Sequence, residues 1–132
     1  MDLSLFDKEY QHKFVVTPAV FEGFQQCSGD FNPLHTKEDF AKSKGFPECV
    51  MYGNILNGFV SYFIGMLLPT QEVIIHSQDI VFKNPVFMND ELDFSAYLEG
   101  FSEAVNTIVF YYKFRNARGK VVAKGHVQVG VL

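Results

Sequence analysis

The sequence predicts an α+β fold in which an antiparallel β-sheet wraps around a long central α-helix. Three observations lead there. Residues 54–68 form an apolar run interrupted only by Asn54, Asn57 and the small residues Gly58, Ser61 and Gly65. A helix with no polar face must be covered by other elements. Downstream of it, hydrophobic residues recur at every second position in segments joined by short turns, the pattern of antiparallel strands. The chain has 132 residues, 48% of them hydrophobic, enough for one core and too little for two, so residues 1–132 read as a single domain.

In chain order, Phe14-Val15-Val16 reads as a short first strand. Thr17-Pro18 then opens a helix with the capping residue and first-position proline that helix starts prefer. Phe21 and Phe24 share one face of it, and Ser28-Gly29 ends it. A turn follows, and a further short helix is expected from Thr36 as N-cap, with Asp39 in its first turn and Gly45 as its stop. Next comes the 54–68 helix. Four strand segments complete the chain: Ile74 to Phe82, Leu92 to Leu98, Thr107 to Phe114 and Val121 to Val129, the last two joined by the turn Asn116-Ala117-Arg118-Gly119. A single sheet of this kind leaves an edge strand open, so a homodimer or larger homo-oligomer is expected.

The loop Ser28-Gly29-Asp30-Phe31-Asn32-Pro33-Leu34-His35 concentrates chemistry. Asp30 can accept a proton, and His35 can hold or pass one near neutral pH. Asn32-Pro33 between them is a turn dipeptide that lets the two side chains converge. Such strings also occur in ordinary surface loops, where Asp and Asn bond their own backbone. His35 is expected just before a helix start, where the dipole disfavours the imidazolium.

Composition excludes several classes. Net charge is −4 and no basic patch alternates with exposed aromatics, which argues against a nucleic-acid partner. Lys37, Lys42 and Lys44 read as a solvated helix face that is also able to meet carrier phosphates. His12, His35, His76 and His126 lack ligand spacing with one another or with cysteine, so no metal is expected. The 54–68 run is too short and too interrupted to span a bilayer. No secretory signal pattern opens the chain. Cys27 and Cys49 then read as free thiols of a reducing cytoplasm.

Phe24, the run Ser28 to His35 and Ala41, together with the Gly53 helix, its Ser61 and the segment Phe82 to Asp90, resemble the MaoC-like hydratases, whose best-defined members are (R)-specific enoyl-CoA hydratases. The resemblance spans nearly the whole chain. It implies the hot-dog fold in its single-domain form. It also implies a hydro-lyase of fatty-acid metabolism that hydrates trans-2-enoyl thioesters, or dehydrates 3-hydroxyacyl thioesters, with no cofactor. CoA and acyl carrier protein both remain open as the carrier.

Under that resemblance Asp30 and His35 are the catalytic pair and activate a water. Gly53, opening the buried helix, offers its amide to the thioester oxygen. Asn32 shapes the loop, and Ser61 lines the pocket or backs the residues that do. Tyr52, Asn54 and Asn89 depart from the family's usual residues. The first two are expected at the mouth of the site, and Asn89 should keep its turn because asparagine tolerates positive φ. Two other readings stand beside this one, a hot-dog thioesterase and a non-catalytic acyl-thioester binding subunit. An intact Asp30–His35 pair argues against the binder.

Overall fold

The computed structural model describes residues 2–132. Its strands are β1 (Glu9–Val15), β2 (Val73–Gln78), β3 (Val81–Phe82), β4 (Glu91–Ser102), β5 (Thr107–Arg115) and β6 (Val121–Val131), and its helices are α1 (Pro18–Ser28), α2 (Pro33–Thr36), α3 (Glu38–Ser43) and α4 (Ile55–Tyr62). All strand pairs are antiparallel, in the order β1-β4-β5-β6-β2, with β3 also pairing with β6. The sheet packs one face against α4, which is the hot-dog arrangement that the resemblance implies.

Alternation creates that packed face. Ile108, Phe110, Tyr112 and Phe114 of β5 are fully buried, and Leu92, Phe94 and Ala96 of β4 join them. From α4 and the turn after it come Ile55, Leu56, Val60, Phe63 and Ile64. Phe63 touches Phe94 and Phe110 at ring-centroid distances of 5.0 and 5.1 Å. Fully burying each such ring contributes about 1.5–3 kcal/mol of transfer free energy, so the aromatic seam between helix and sheet fixes their relative position.

Several sequence expectations are corrected in detail. The first strand begins at Glu9, five residues before Phe14, and a 3-10 turn at Leu3–Phe6 precedes it and buries Leu3 and Phe6. Residues 74–82 form two strands, because the chain breaks away at Asp79-Ile80 and β2 is bulged at His76. The central helix is α-helical over Ile55–Tyr62 and widens to a π turn over Phe63–Leu67. It is also covered on one side only: Gly58, Ser61, Tyr62, Gly65 and Met66 are exposed. Thr36 is the last residue of α2 and caps nothing; its hydroxyl donates to the carbonyls of Phe31 and Asn32. Asn89 holds its turn at φ 66° as expected, with the Asp90 carboxylate accepting from the Phe87 amide.

Candidate active site

The loop between α1 and α2 is held by its own side chains. Gly29 ends α1 at φ 69°, a left-handed conformation that glycine adopts without steric penalty. The Ser28 hydroxyl accepts from the Asp30 amide at 3.1 Å, and Asp30 Oδ1 accepts from the Asn32 amide at 2.9 Å. Asn32 then caps α2, its Oδ1 accepting from the Leu34 amide at 2.9 Å. Pro33 follows at the first helical position, where a missing N–H costs nothing. This chain of short-range bonds turns the backbone so that Asp30 and His35 approach each other.

His35 Nε2 lies 4.0 Å from Asp30 Oδ2, with side-chain exposures of 17% and 45%. The other imidazole nitrogen, Nδ1, donates to the Val50 carbonyl at 2.7 Å. A carbonyl oxygen can only accept, so Nδ1 carries a proton, and whenever the ring is neutral Nε2 is the nitrogen that presents a lone pair. The carboxylate is oriented likewise, with Oδ1 engaged by the backbone and Oδ2 free. A gap of 4.0 Å is too long for a direct bond but suits one water donating to both acceptors.

His35 also lines a cleft of about 460 Å³ with Gly53, Asn54, Leu56, Phe82 and Val86. The first helical bonds of α4 start here: the Ile55 amide donates to the Tyr52 carbonyl and the Leu56 amide to that of Gly53. Among the described residues the Gly53 amide has no protein acceptor. A Cβ on Gly53 would stand 2.9 Å from Phe82 Cε1, so only glycine fits under that ring as placed. Burial, and then the charges of Glu38 and Glu48, push the Cys49 thiol pKa up, which lowers its thiolate fraction. Among the described residues no group of three His, Cys, Asp or Glu is placed to hold a metal ion.

The family model of the MaoC-like domain matches residues 6–115. The chain belongs to the MaoC-like domain family. It is similar to an (R)-specific enoyl-CoA hydratase of Rhodospirillum rubrum, 32% identical over 108 residues that cover 82% of this chain and 74% of that protein. A second (R)-specific enoyl-CoA hydratase, from Aeromonas caviae, is 38% identical over 74 residues, covering 56% of this chain but only 55% of its own length. The solved (R)-hydratase structure from A. caviae superposes with a TM-score of 0.90 over the full length of both chains at 23% identity, which establishes a shared hot-dog fold.

Of the residues singled out in this MaoC-like sequence, the fold brings Asp30, Asn32 and His35 together and sets Gly53 in the cleft that His35 lines. It does not bring in Ser61, which lies on the exposed side of α4, outside that cleft. The helix-start argument for a neutral His35 also fails. His35 sits within α2, a helix of four residues, and the Val50 carbonyl is what selects its tautomer.

Tyr52 plays a larger part in the site than its sequence position suggests. It is only 3% exposed, not at a mouth. Its ring lies against His35 and against Phe24 and Phe21 of α1, and its hydroxyl donates to the Asp30 carbonyl. The available signal was the aromatic pair Phe21 and Phe24, which needed an aromatic partner to pack on.

Proposed function

We propose that this protein hydrates trans-2-enoyl thioesters to (R)-3-hydroxyacyl thioesters and catalyses the reverse dehydration, with Asp30 and His35 activating the water. The observation that carries the proposal is the pair of free acceptors, Asp30 Oδ2 and His35 Nε2, facing each other at 4.0 Å while their other atoms are held by backbone. A water donating to both is oriented with its oxygen lone pair toward C3 of a bound substrate. As the C3–O bond forms, a water proton leaves to this pair and a proton is delivered to C2. Nothing is oxidised or reduced, so the reaction as written balances without a cofactor. Charge that builds on the thioester oxygen meets the unpartnered Gly53 amide at the start of α4, and a donor placed there typically stabilises the transition state by about 3 kcal/mol.

Two features support a working unit of at least two chains. The exposed side of α4 carries Tyr62 and Met66, 41% and 59% exposed, and Phe31 beside Asp30 is 65% exposed. Strand β2 ends the sheet with Ile74 51% exposed and its outer backbone edge unpaired among the described residues. Open edges and apolar faces of this kind are covered by association. The free thiols Cys27 and Cys49 suit a reducing compartment such as the cytoplasm, and no helix among the described residues is long and apolar enough to cross a membrane.

The deciding experiment incubates the purified protein with crotonyl-CoA and follows the enoyl absorbance alongside free thiol. Loss of absorbance without thiol release supports hydration. Thiol release identifies a thioesterase, and no change in either identifies a binding subunit.

A further inference from the structure

We propose that the side chain of Asn54 supplies, through Nδ2, a second hydrogen-bond donor to the thioester oxygen, beside the Gly53 amide. The inference rests on the hydratase reading above for its substrate. Its geometry comes from three amide side chains that this reading does not use.

The three amides form a relay. Gln78, the last residue of β2, donates through Nε2 to Asn57 Oδ1 of α4. Asn57 Nδ2 in turn donates to Asn54 Oδ1 at 2.8 Å. Asn57 and Asn54 thus both spend their oxygens as acceptors, and Asn54 Nδ2 is the free end of the run. It has no protein acceptor among the described residues. Asn54 lines the same cleft as His35 and Gly53. It also follows Gly53 directly in the chain, and the Gly53 amide is likewise without a protein acceptor.

Helix capping does not account for Asn54. An asparagine at a helix start ordinarily accepts from a backbone amide two or three residues on, and Asn54 makes no such bond. Its oxygen is spent on Asn57, so what the relay fixes is the direction of the nitrogen. Asn54 also departs from the residue usual in MaoC-like proteins, which makes a donor here a property of this chain and not of the fold. An amide whose oxygen accepts a hydrogen bond is polarised by it, and successive bonds strengthen one another. The cleft walls are largely apolar, with Phe46, Val50, Leu56, Phe82 and Val86 among them. A fixed donor acts more strongly there than in open water. The acceptor that an enoyl thioester presents to the Gly53 amide is its carbonyl oxygen, where negative charge collects as water adds to C3. Two donors aimed at that oxygen make an oxyanion hole.

The test reads the carbonyl stretch of crotonyl-CoA, carbon-13 labelled at C1, by infrared difference spectroscopy on the full chain. Asp30→Asn holds the bound thioester unreacted. Adding Asn54→Leu should return the stretch part-way to its frequency in solution. With Asp30 intact, Asn54→Leu should lower kcat about a hundredfold, the loss typical of one oxyanion donor, and leave KM nearly unchanged. Asn57→Leu and Gln78→Leu alter the relay without touching substrate, and each should lower kcat about fivefold, the size of one net hydrogen bond. Asn54→Asp keeps the bond accepted from Asn57 and loses only the donor, so it should be as impaired as Asn54→Leu. Asn54 is exposed, and both of its variants should melt near the parent. An unmoved carbonyl stretch, a loss confined to KM, or full turnover in Asn54→Asp would overturn the assignment. Losses that merely follow melting temperature across the relay would overturn it too, leaving a brace between β2 and α4. If the parent binds crotonyl-CoA without hydrating it, the hydratase reading alone fails and the carbonyl frequency still decides Asn54. If it does not bind, both fail.

Discussion

Tyr52 donates its hydroxyl to the main-chain carbonyl of Asp30 from beneath the catalytic loop. The same ring lies 4.2 Å, centroid to centroid, from the His35 imidazole. One side chain therefore touches both members of the proposed pair, which makes Tyr52 a positioning residue. Its effect should pass through the geometry of the 4.0 Å gap between Asp30 and His35.

Tyr52→Phe removes the bond to Asp30, together with the longer 3.4 Å bond accepted from Gln25 Nε2, and keeps the ring. The expected cost in stability is about 1 kcal/mol, the net worth of one hydrogen bond. Turnover should fall about tenfold, chiefly in kcat, while KM changes little. A melting curve measured with steady-state kinetics checks both. A proportional fall in kcat and in folded fraction would reduce Tyr52 to packing alone.

Asp30→Asn and His35→Ala should each lower hydration by two or more orders of magnitude, with melting temperatures close to the parent because both side chains are partly exposed. The double variant should be little worse than either single one, since two acceptors of one water act as a unit. Additive losses would mean that the two residues serve separate steps.

How far this fold and site could be read from sequence follows from how local each cause is. The catalytic turn was legible because Ser28, Asp30 and Asn32 bond amides only two residues away. The alternation in β5 was legible for the same reason, with period two written along one strand. What stayed hidden depends on distant partners. Tyr52 reaches Asp30 across 22 residues, and His35 takes its tautomer from Val50, 15 residues on. The exposed side of α4 was misread because an apolar helix signals burial without saying whether its own chain or another supplies the cover.

That cover is expected from a second copy. Sedimentation at micromolar concentration should give a dimer or larger species. Met66→Asp, on the exposed side of α4, should shift it toward monomer with little change in the melting of the isolated chain. A parent that remains monomeric would leave the apolar side of α4 unexplained by self-association.

Alkaline pH should destabilise the fold in a defined window. Burial, and then Asp7, push the Tyr10 hydroxyl up to about 12 from 10.0, and burial with Asp79 pushes that of Tyr112 further up. A raised folded-state pKa means that the stabilisation is complete below the unfolded value and is lost as pH rises through the folded one. Melting temperature should thus hold to about pH 10 and fall beyond it, and Tyr10→Phe should shallow the decline. A curve of unchanged slope in that variant would exclude Tyr10 as a contributor.

Gly53 supplies the sharpest test of how the thioester is held. A methyl at this position would meet the Phe82 ring at 2.9–3.2 Å, whereas one at Gly58, a turn further along α4, meets nothing within 4 Å. Gly58→Ala should accordingly raise helix stability by about 0.5–1 kcal/mol and spare turnover. Gly53→Ala must displace Phe82, and Gly53→Val more so, narrowing the cleft beside the Gly53 amide. Turnover should drop at least a hundredfold in Gly53→Val, the loss typical of one oxyanion donor, with kcat falling more than the fraction of folded protein. Adding Phe82→Leu tests the cause. Phe82 is 48% exposed, so trimming it costs little stability and makes room for the new side chain. If the double variant Gly53→Ala/Phe82→Leu regains the melting temperature but not the turnover, lost access to the Gly53 amide is the defect. If it regains both, steric crowding explains the loss and the thioester oxygen must be held elsewhere.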